Sequence, residues 1–165
     1  MQYAGINFND TANGEGICVS FFVQGCPHHC KGCFNPETWD FTGGKELPKN
    51  FLSTIIEKIE ANGVTRNFSL LGGEPLCEEN LDLSLTLISV IRTTFPQILI
   101  SVWTGYTLEE LARQCDRRIL DIFNQIDFLI DGRFELDKRN TTLKWRGSSN
   151  QRIWSKQEIQ EYINE

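Results

Sequence analysis

Ile17-Cys18-Val19-Ser20-Phe21-Phe22-Val23 runs through Gln24 into Gly25-Cys26-Pro27-His28-His29-Cys30-Lys31-Gly32-Cys33-Phe34-Asn35-Pro36. The first half is nearly all apolar, β-branched or aromatic. It reads as a strand buried on both faces, the kind found inside a parallel sheet. The second half is rich in residues that bend a backbone: Gly25, Pro27, Gly32 and Pro36. It holds three thiols at C-x3-C-x2-C spacing, all within eight residues. A segment curled this tightly can aim three sulfurs at one centre, which neither a strand nor a helix could do.

Working outward, Gln2–Ala4 reads as a short edge strand and Asn13-Gly14-Glu15-Gly16 as a turn. Residues 48–62 read as a helix with Phe51, Leu52, Ile55, Ile56 and Ile59 on one stripe, Pro48 in the first turn and Gly63 at the end. Residues 67–71 form a second strand, stopped by Gly72-Gly73-Glu74-Pro75. A helix follows over 81–95, a third strand over 98–103 ending in Thr104-Gly105-Tyr106, and a helix opened by the capping pair Thr107 and Glu110. Residues 127–131 read as a fourth strand closed by Gly132. Ser155 and Glu158 form another capping pair, which predicts a short helix at the C-terminal end. Apolar strands alternating with helices predict an α/β fold: a mostly parallel sheet with outer helices in one domain over 1–165. Ligands in such folds gather at the carboxyl ends of strands. The cysteine loop, the Gly72–Pro75 turn and the Thr104–Tyr106 turn should therefore meet at one rim.

The bulk properties narrow the class. The chain has 165 residues, 40% apolar and 23% charged, and 16 basic against 22 acidic side chains give a net charge of −6. Those values suit a single globular core and argue against a general nucleic-acid binder, which needs a basic face. No apolar run approaches the roughly 18 residues of a membrane span. The first ten residues show no basic segment leading an apolar one, so no secretory signal is read. Six cysteines without such a signal suggest a reducing compartment, with cytoplasm the default.

The three clustered thiols have two readings. A structural zinc site wants four ligands, usually in two separated pairs. Here no second pair exists, and His28 or His29 would have to bend back within the small loop. A four-iron cluster fits better, because three thiolates leave one iron open to a small molecule. Cys77, just past the Gly72 turn, is the residue able to close that cluster. Cys18 and Cys115 read as buried apolar fillers, and His28 and His29 as exposed loop residues. At Gly72-Gly73-Glu74-Pro75 the glycines allow close approach of a ligand to the backbone, and Glu74 adds a carboxylate able to hold an amino group. Double glycines alone would be a plain tight turn. One βα unit after a three-cysteine loop, they say more.

With those residues in view, the chain resembles the radical S-adenosylmethionine (SAM) enzymes. Cys26, Cys30 and Cys33 match that superfamily's cluster motif, and Gly72-Gly73-Glu74-Pro75 its motif for the SAM amino group. The resemblance narrows to the activating enzymes of the anaerobic (class III) ribonucleotide reductase. Five stretches carry it: Asn13–Gly16, Gly25–Asp40, Leu70–Leu76, Val102–Tyr106 and Arg146–Ile153. Two positions depart from the pattern. Gly32 stands where many radical SAM enzymes have an aromatic, with Phe34 following, and Glu15 replaces a proline in the Asn13–Gly16 turn. The resemblance implies a partial (β/α) barrel. It also implies a 4Fe–4S cluster held by Cys26, Cys30 and Cys33, and SAM bound through Gly72, Gly73 and Glu74. The backbone around Gly32 and Phe34 would lie along the adenine, with Trp103 and Thr104 on the ribose side. Reductive cleavage of SAM would yield a 5′-deoxyadenosyl radical that takes a hydrogen from a glycine of the reductase. An external one-electron donor such as a flavodoxin is implied. Arg146–Ile153 reads either as a segment satisfying loop backbone groups or as a partner contact. Two other functions stand beside this one: a small radical SAM enzyme for a free small molecule, and an electron carrier whose cluster Cys77 closes.

Overall fold

Strand β2 (Cys18–Val23) carries the apolar run into the middle of a seven-stranded sheet. The structure, a computed structural model, describes residues 1–165. The other strands are β1 (Gln2–Asp10), β3 (Lys45–Glu46), β4 (Asn67–Gly72), β5 (Ile100–Trp103), β6 (Phe128–Asp131) and β7 (Arg152–Ser155). Five helices accompany them: α1 (Phe51–Ile59), α2 (Glu78–Thr94), α3 (Leu108–Arg113), α4 (Arg117–Phe123) and α5 (Lys156–Ile163). The strand order is β3-β1-β2-β4-β5-β6-β7.

The α/β class holds, and the sheet is mixed. β2, β4, β5 and β6 run parallel in the centre. The edges are antiparallel: β3 on β1, β1 on β2, and β7 on β6. Connection chemistry explains the edges. Only Thr11–Ile17 joins β1 to β2, too short for the crossover of a dozen or more residues that a parallel pair requires. The stretch from β6 to β7 holds one short 3-10 turn, Leu136–Lys138, and no crossover helix. The short edge strand expected over Gln2–Ala4 is instead part of the longer β1, which lies inside the edge strand β3, and Arg152–Ser155 is a true strand.

Alternation within the central strands separates two faces. Val19, Phe21, Phe68, Leu70, Ile100, Val102 and Leu129 point into one core with Ile55, Ile59, Leu87, Ile88 and Ile122. The helices over that face pack side by side, α1 on α2, α2 on α4 and α4 on α5. α4 gives little sign of itself in the sequence, because its seven residues carry no Gly or Pro signal. Asp116 caps it, accepting from Arg118 N. Arg118 also reaches Glu78 and Asp82 on α2, but both partners are largely exposed and such pairs contribute little. The buried Ile119, Ile122 and Phe123 hold α4 in place.

On the opposite face Ser20, Ser69 and Ser101 pair in register across β2, β4 and β5, and all three are buried. Small side chains leave room there for the Asn13–Gly16 turn to cross, and Ser69 Oγ donates to Asn13 O at 2.7 Å. Two residues further along the strands, Leu71 and Trp103 share this face with Ile130, which pairs with Trp103. All three line a cavity at the carboxyl ends of the parallel strands.

That rim is tied to β7 by Arg152. Its guanidinium forks onto Asp131 (3.0 and 2.6 Å) and onto Glu109 in the first turn of α3 (2.9 and 2.6 Å). Asp131 is fully buried and also accepts from Leu108 N. Arg152→Ala should cost about 2–4 kcal/mol, somewhat below the roughly 3–5 kcal/mol of breaking a fully buried pair, because Arg152 itself is half exposed. The Arg152 guanidinium pulls the Glu109 carboxyl down to about 2 from 4.5. A depressed acid stabilises the fold above its unfolded pKa and loses that contribution as pH falls through the folded one. The thermal-midpoint gap between wild type and R152A should therefore be full above pH 4.5 and narrow as the pH falls toward 2; a gap independent of pH would remove this account.

Candidate functional site

The loop leaving β2 is closed by its own start. Gln24, buried, donates through Nε2 to Glu37 O (2.9 Å) and Asp40 O (2.7 Å). Gly25 N reaches Thr38 O at 2.7 Å and Cys26 N reaches Trp39 O at 3.2 Å. These bonds close residues 24–40 into a ring that carries all three cysteines. The ring then locks onto the turn after β4. Gly73 N donates to Val23 O (2.9 Å) and Glu74 N to Gly25 O (2.8 Å). A β-carbon on Gly73 would collide with the Gly25 carbonyl, so the approach requires glycine there. Asn80, in the first turn of α2, donates to the carbonyls of Gln24, Gly25 and Glu74 at 3.0–3.2 Å.

Glu74 is the junction. It is fully buried, and its carboxylate accepts from Leu76 N (2.8 Å), Gly105 N (2.7 Å) and Thr104 Oγ1 (2.9 and 3.0 Å). His28 Nε2 lies 2.7 Å from Glu74 Oε1. The loops after β2, β4 and β5 therefore meet, as the fold class predicts. His28 does not match its sequence reading as an exposed loop residue. Its side chain is 6% exposed, pressed edge-on against Tyr106 at 4.6 Å. His29 is exposed and stacks on Trp39. Burial, with Glu74 adding to it, lifts the Tyr106 hydroxyl to about 12.

A cavity of about 390 Å³ opens at this rim. Cys26, Cys30, Cys33 and Phe34 line it, as do Gly72, Gly73, Glu74, Trp103 and Thr104. Gly32 stands outside it, against the Leu136 side chain. Further lining comes from residues the sequence did not assign to the pocket: His28, Trp145, Arg146 and Gln151, of which only Trp145 lies outside the stretches that carry the resemblance. Trp103 Nε1 donates to Trp145 O at 2.8 Å and so fixes the far wall. Gln151 accepts from Gly147 N and Ser148 N and donates to Gly132 O, while Asn150 donates to Arg133 O. Within Arg146–Ile153 these polar side chains serve loop backbone groups, and Arg146 alone among its cations stays without a carboxylate.

The thiols suit a polynuclear centre. All six cysteines are free, and no three His, Cys, Asp or Glu side chains converge tightly enough to hold one ion. A single zinc would demand such convergence, whereas a cluster takes each thiolate at a separate iron. A peptide N–H meets one of the sulfurs: Asn35 N lies 3.4 Å from Cys33 Sγ. Burial lifts the Cys26 thiol to about 11 and raises Cys30, so metal uptake at these thiols releases protons. Cys77 lies off the cavity, donates to Glu74 O at 3.2 Å, and is pushed by burial to about 12. Cys18 is buried as its sequence implies. Cys115 departs from its reading as a buried filler; it is exposed, with φ 52°, at the C-terminal end of α3.

Comparison with known proteins agrees with this geometry. Residues 12–154 match the family described as "4Fe-4S single cluster domain". Three similar proteins carry the name anaerobic ribonucleoside-triphosphate reductase-activating protein. The one from Pasteurella multocida is 38% identical over 155 residues, 93% of this chain and 97% of that protein. The one from Escherichia coli K12 is 39% identical over 143 residues, 86% and 90%. The one from phage T4 is 34% identical over 155 residues, 94% of each. With three thiols and a Gly-Gly-Glu turn walling one cavity, the chain belongs to the 4Fe–4S single-cluster family and, within it, to the activating proteins of the anaerobic ribonucleoside-triphosphate reductase.

Proposed function

We propose that this chain is the glycyl-radical activase of an anaerobic ribonucleotide reductase, acting as a single 1–165 domain of partial-barrel, radical SAM type in the cytoplasm. The observation that carries the reading is the lock between the cysteine ring and the Gly72–Glu74 turn: three partly exposed thiols and that glycine turn line one cavity. Cys26, Cys30 and Cys33 would hold a 4Fe–4S cluster with one iron free for SAM. When bound, cluster and SAM supply one-electron cleavage of the sulfonium, giving the 5′-deoxyadenosyl radical that takes hydrogen from a reductase glycine. An external one-electron carrier such as a flavodoxin would feed the cluster.

The residues' own work is positional. The Gly72–Gly73 peptide edge would receive the amino group, because the Glu74 carboxylate already accepts from four protein groups and so serves to aim that edge. Phe34 faces the cavity and would bound the adenine; its partner in that expectation, Gly32, would act from behind the loop. Trp103, braced by Trp145, and Thr104 would close the ribose side. The apolar walls limit water at the reacting atoms. Cys77, bonded to Glu74 O outside the cavity, weighs against a closed-cluster carrier.

Two measurements test this. Anaerobic reconstitution with iron and sulfide, followed by reductant and SAM, should yield 5′-deoxyadenosine. Adding the reductase should yield a glycyl radical by electron paramagnetic resonance. Cys77→Ala should keep cluster iron content and spectrum, while Ala at Cys26, Cys30 or Cys33 should lose them; a spectrum altered by C77A would favour the carrier instead. His28→Ala strips one donor from a buried carboxylate, worth about 1.5–3 kcal/mol for a bond to a charged group. SAM affinity should drop about tenfold or more with iron content intact, and His28→Gln should recover part of it. Unchanged affinity in H28A would dismiss the positioning role.

A further inference from the structure

Residues 133–147 pass along the mouth of the cavity, and Phe134, Leu143, Trp145, Arg146 and Gly147 line it. This stretch carries five basic and two acidic side chains, a net +3, in a chain whose total is −6. The rest of the molecule is therefore at −9. Three of the five cations are neutralised within the fold: Arg133 by Glu110, Lys138 by Glu135 and Lys144 by Glu15. Arg139 and Arg146 pair with no carboxylate. Arg139 lies 5.3 Å from the Phe34 ring, and Arg146 donates only to Lys144 O.

Beside these cations sits an exposed apolar patch. Phe34 is 52% exposed and Leu136 43%. Phe34 tilts against Phe134 at 5.0 Å, and Leu136 lies over Gly32. Single exposed apolar side chains are ordinary, but Leu136 sits over Gly32, two residues before Phe34, and Phe34 and Phe134 carry the patch into the cavity. Phe and Arg are both enriched at protein interfaces relative to the rest of the surface.

We propose that Phe34, Leu136 and Arg139, with Arg146 behind them, form the surface that docks the reductase. The complementary face is acidic with an apolar tip and lies beside the reductase's radical loop. The proposal rests on the activase reading above. Charge supplies the orientation: with Glu110 and Glu15 counted beside the cations they pair, the rim stands at +1 and the rest of the molecule at −7, so an acidic partner is repelled elsewhere and drawn to this rim. That approach brings its glycine loop to the mouth, where the hydrogen must be taken.

The test compares wild type with Arg139→Glu, Leu136→Ser and a control reversal at Arg117→Glu on α4, which is 88% exposed. Each reconstituted protein is assayed for 5′-deoxyadenosine formation without reductase, for reductase binding across ionic strength, and for glycyl-radical yield. R139E and L136S should cleave SAM as wild type does, bind the reductase about tenfold more weakly and give less radical. R139E should also show a shallower salt dependence, and R117E should bind as wild type. Binding by R139E and L136S within twofold of wild type, equal weakening by R117E, or loss of SAM cleavage along with binding would each overturn the proposal. A wild type that binds the reductase yet makes no 5′-deoxyadenosine would defeat the activase reading instead, and the binding comparison would still decide the docking surface.

Discussion

A carboxylate sealed from water with every lone pair taken is the constraint on which this rim depends. Glu74 has no solvent to fall back on, so each donor it accepts must be delivered by a different piece of chain: Leu76 from its own turn, Thr104 and Gly105 from the loop after β5, His28 from the cysteine ring. An unpaired buried charge costs several kcal/mol, far more than the net gain of an ordinary hydrogen bond. The three loops cannot drift apart separately without exposing that cost. One residue thereby fixes the relation between the thiols and the peptide edge across the cavity.

The two faces of the sheet divide the labour. The helix-covered face holds the large apolar side chains and supplies most of the stability. The other face is built small, with a row of buried serines where the strands begin and Leu71, Trp103 and Ile130 toward their carboxyl ends. Small residues admit the Asn13–Gly16 turn across the sheet, and larger ones floor the cavity. A sheet with both faces apolar and bulky would have had no room for a site of this size.

Much of this was legible because it obeys local rules. The β2 run, the capping pairs at Thr107 and Ser155, and the stops at Gly72 and Gly132 are set by neighbours in sequence, and each lies where its chemistry puts it. What escaped depends on contacts remote in sequence. Nothing in Cys26-Pro27-His28-His29-Cys30 distinguishes the buried imidazole from the exposed one; the difference is Glu74, 46 positions away. Asn80 looks like an ordinary polar residue in a helix until its amide is seen holding three carbonyls. The antiparallel edges follow from connections too short or too irregular for a crossover, a property of topology that apolar periodicity does not encode. The basic character of 133–147 was present in the composition but masked by the chain's overall acidity.

Glu74 and Asp131 share one design. Both are fully buried acids close to the ends of alternate parallel strands, β4 and β6, and both reach the connection after β5, which lies between them. Glu74 takes Gly105 N from that connection and His28 from the cysteine ring. Asp131 takes Leu108 N from the same connection and the Arg152 fork from β7. Thr104 N to Ile130 O (2.9 Å) and Gly132 N to Tyr106 O (3.0 Å) close the gap between the two. The result is one continuous lacing from the cysteine ring through Glu74, the 104–108 segment and Asp131 to β7. Because the lacing crosses strands, the spacing of its groups is set by the sheet, whose strands stand about 4.8 Å apart and yield little. A catalytic or binding constellation needs its groups held to within about 0.5 Å. A rim stitched to a rigid sheet by two buried acids meets that demand.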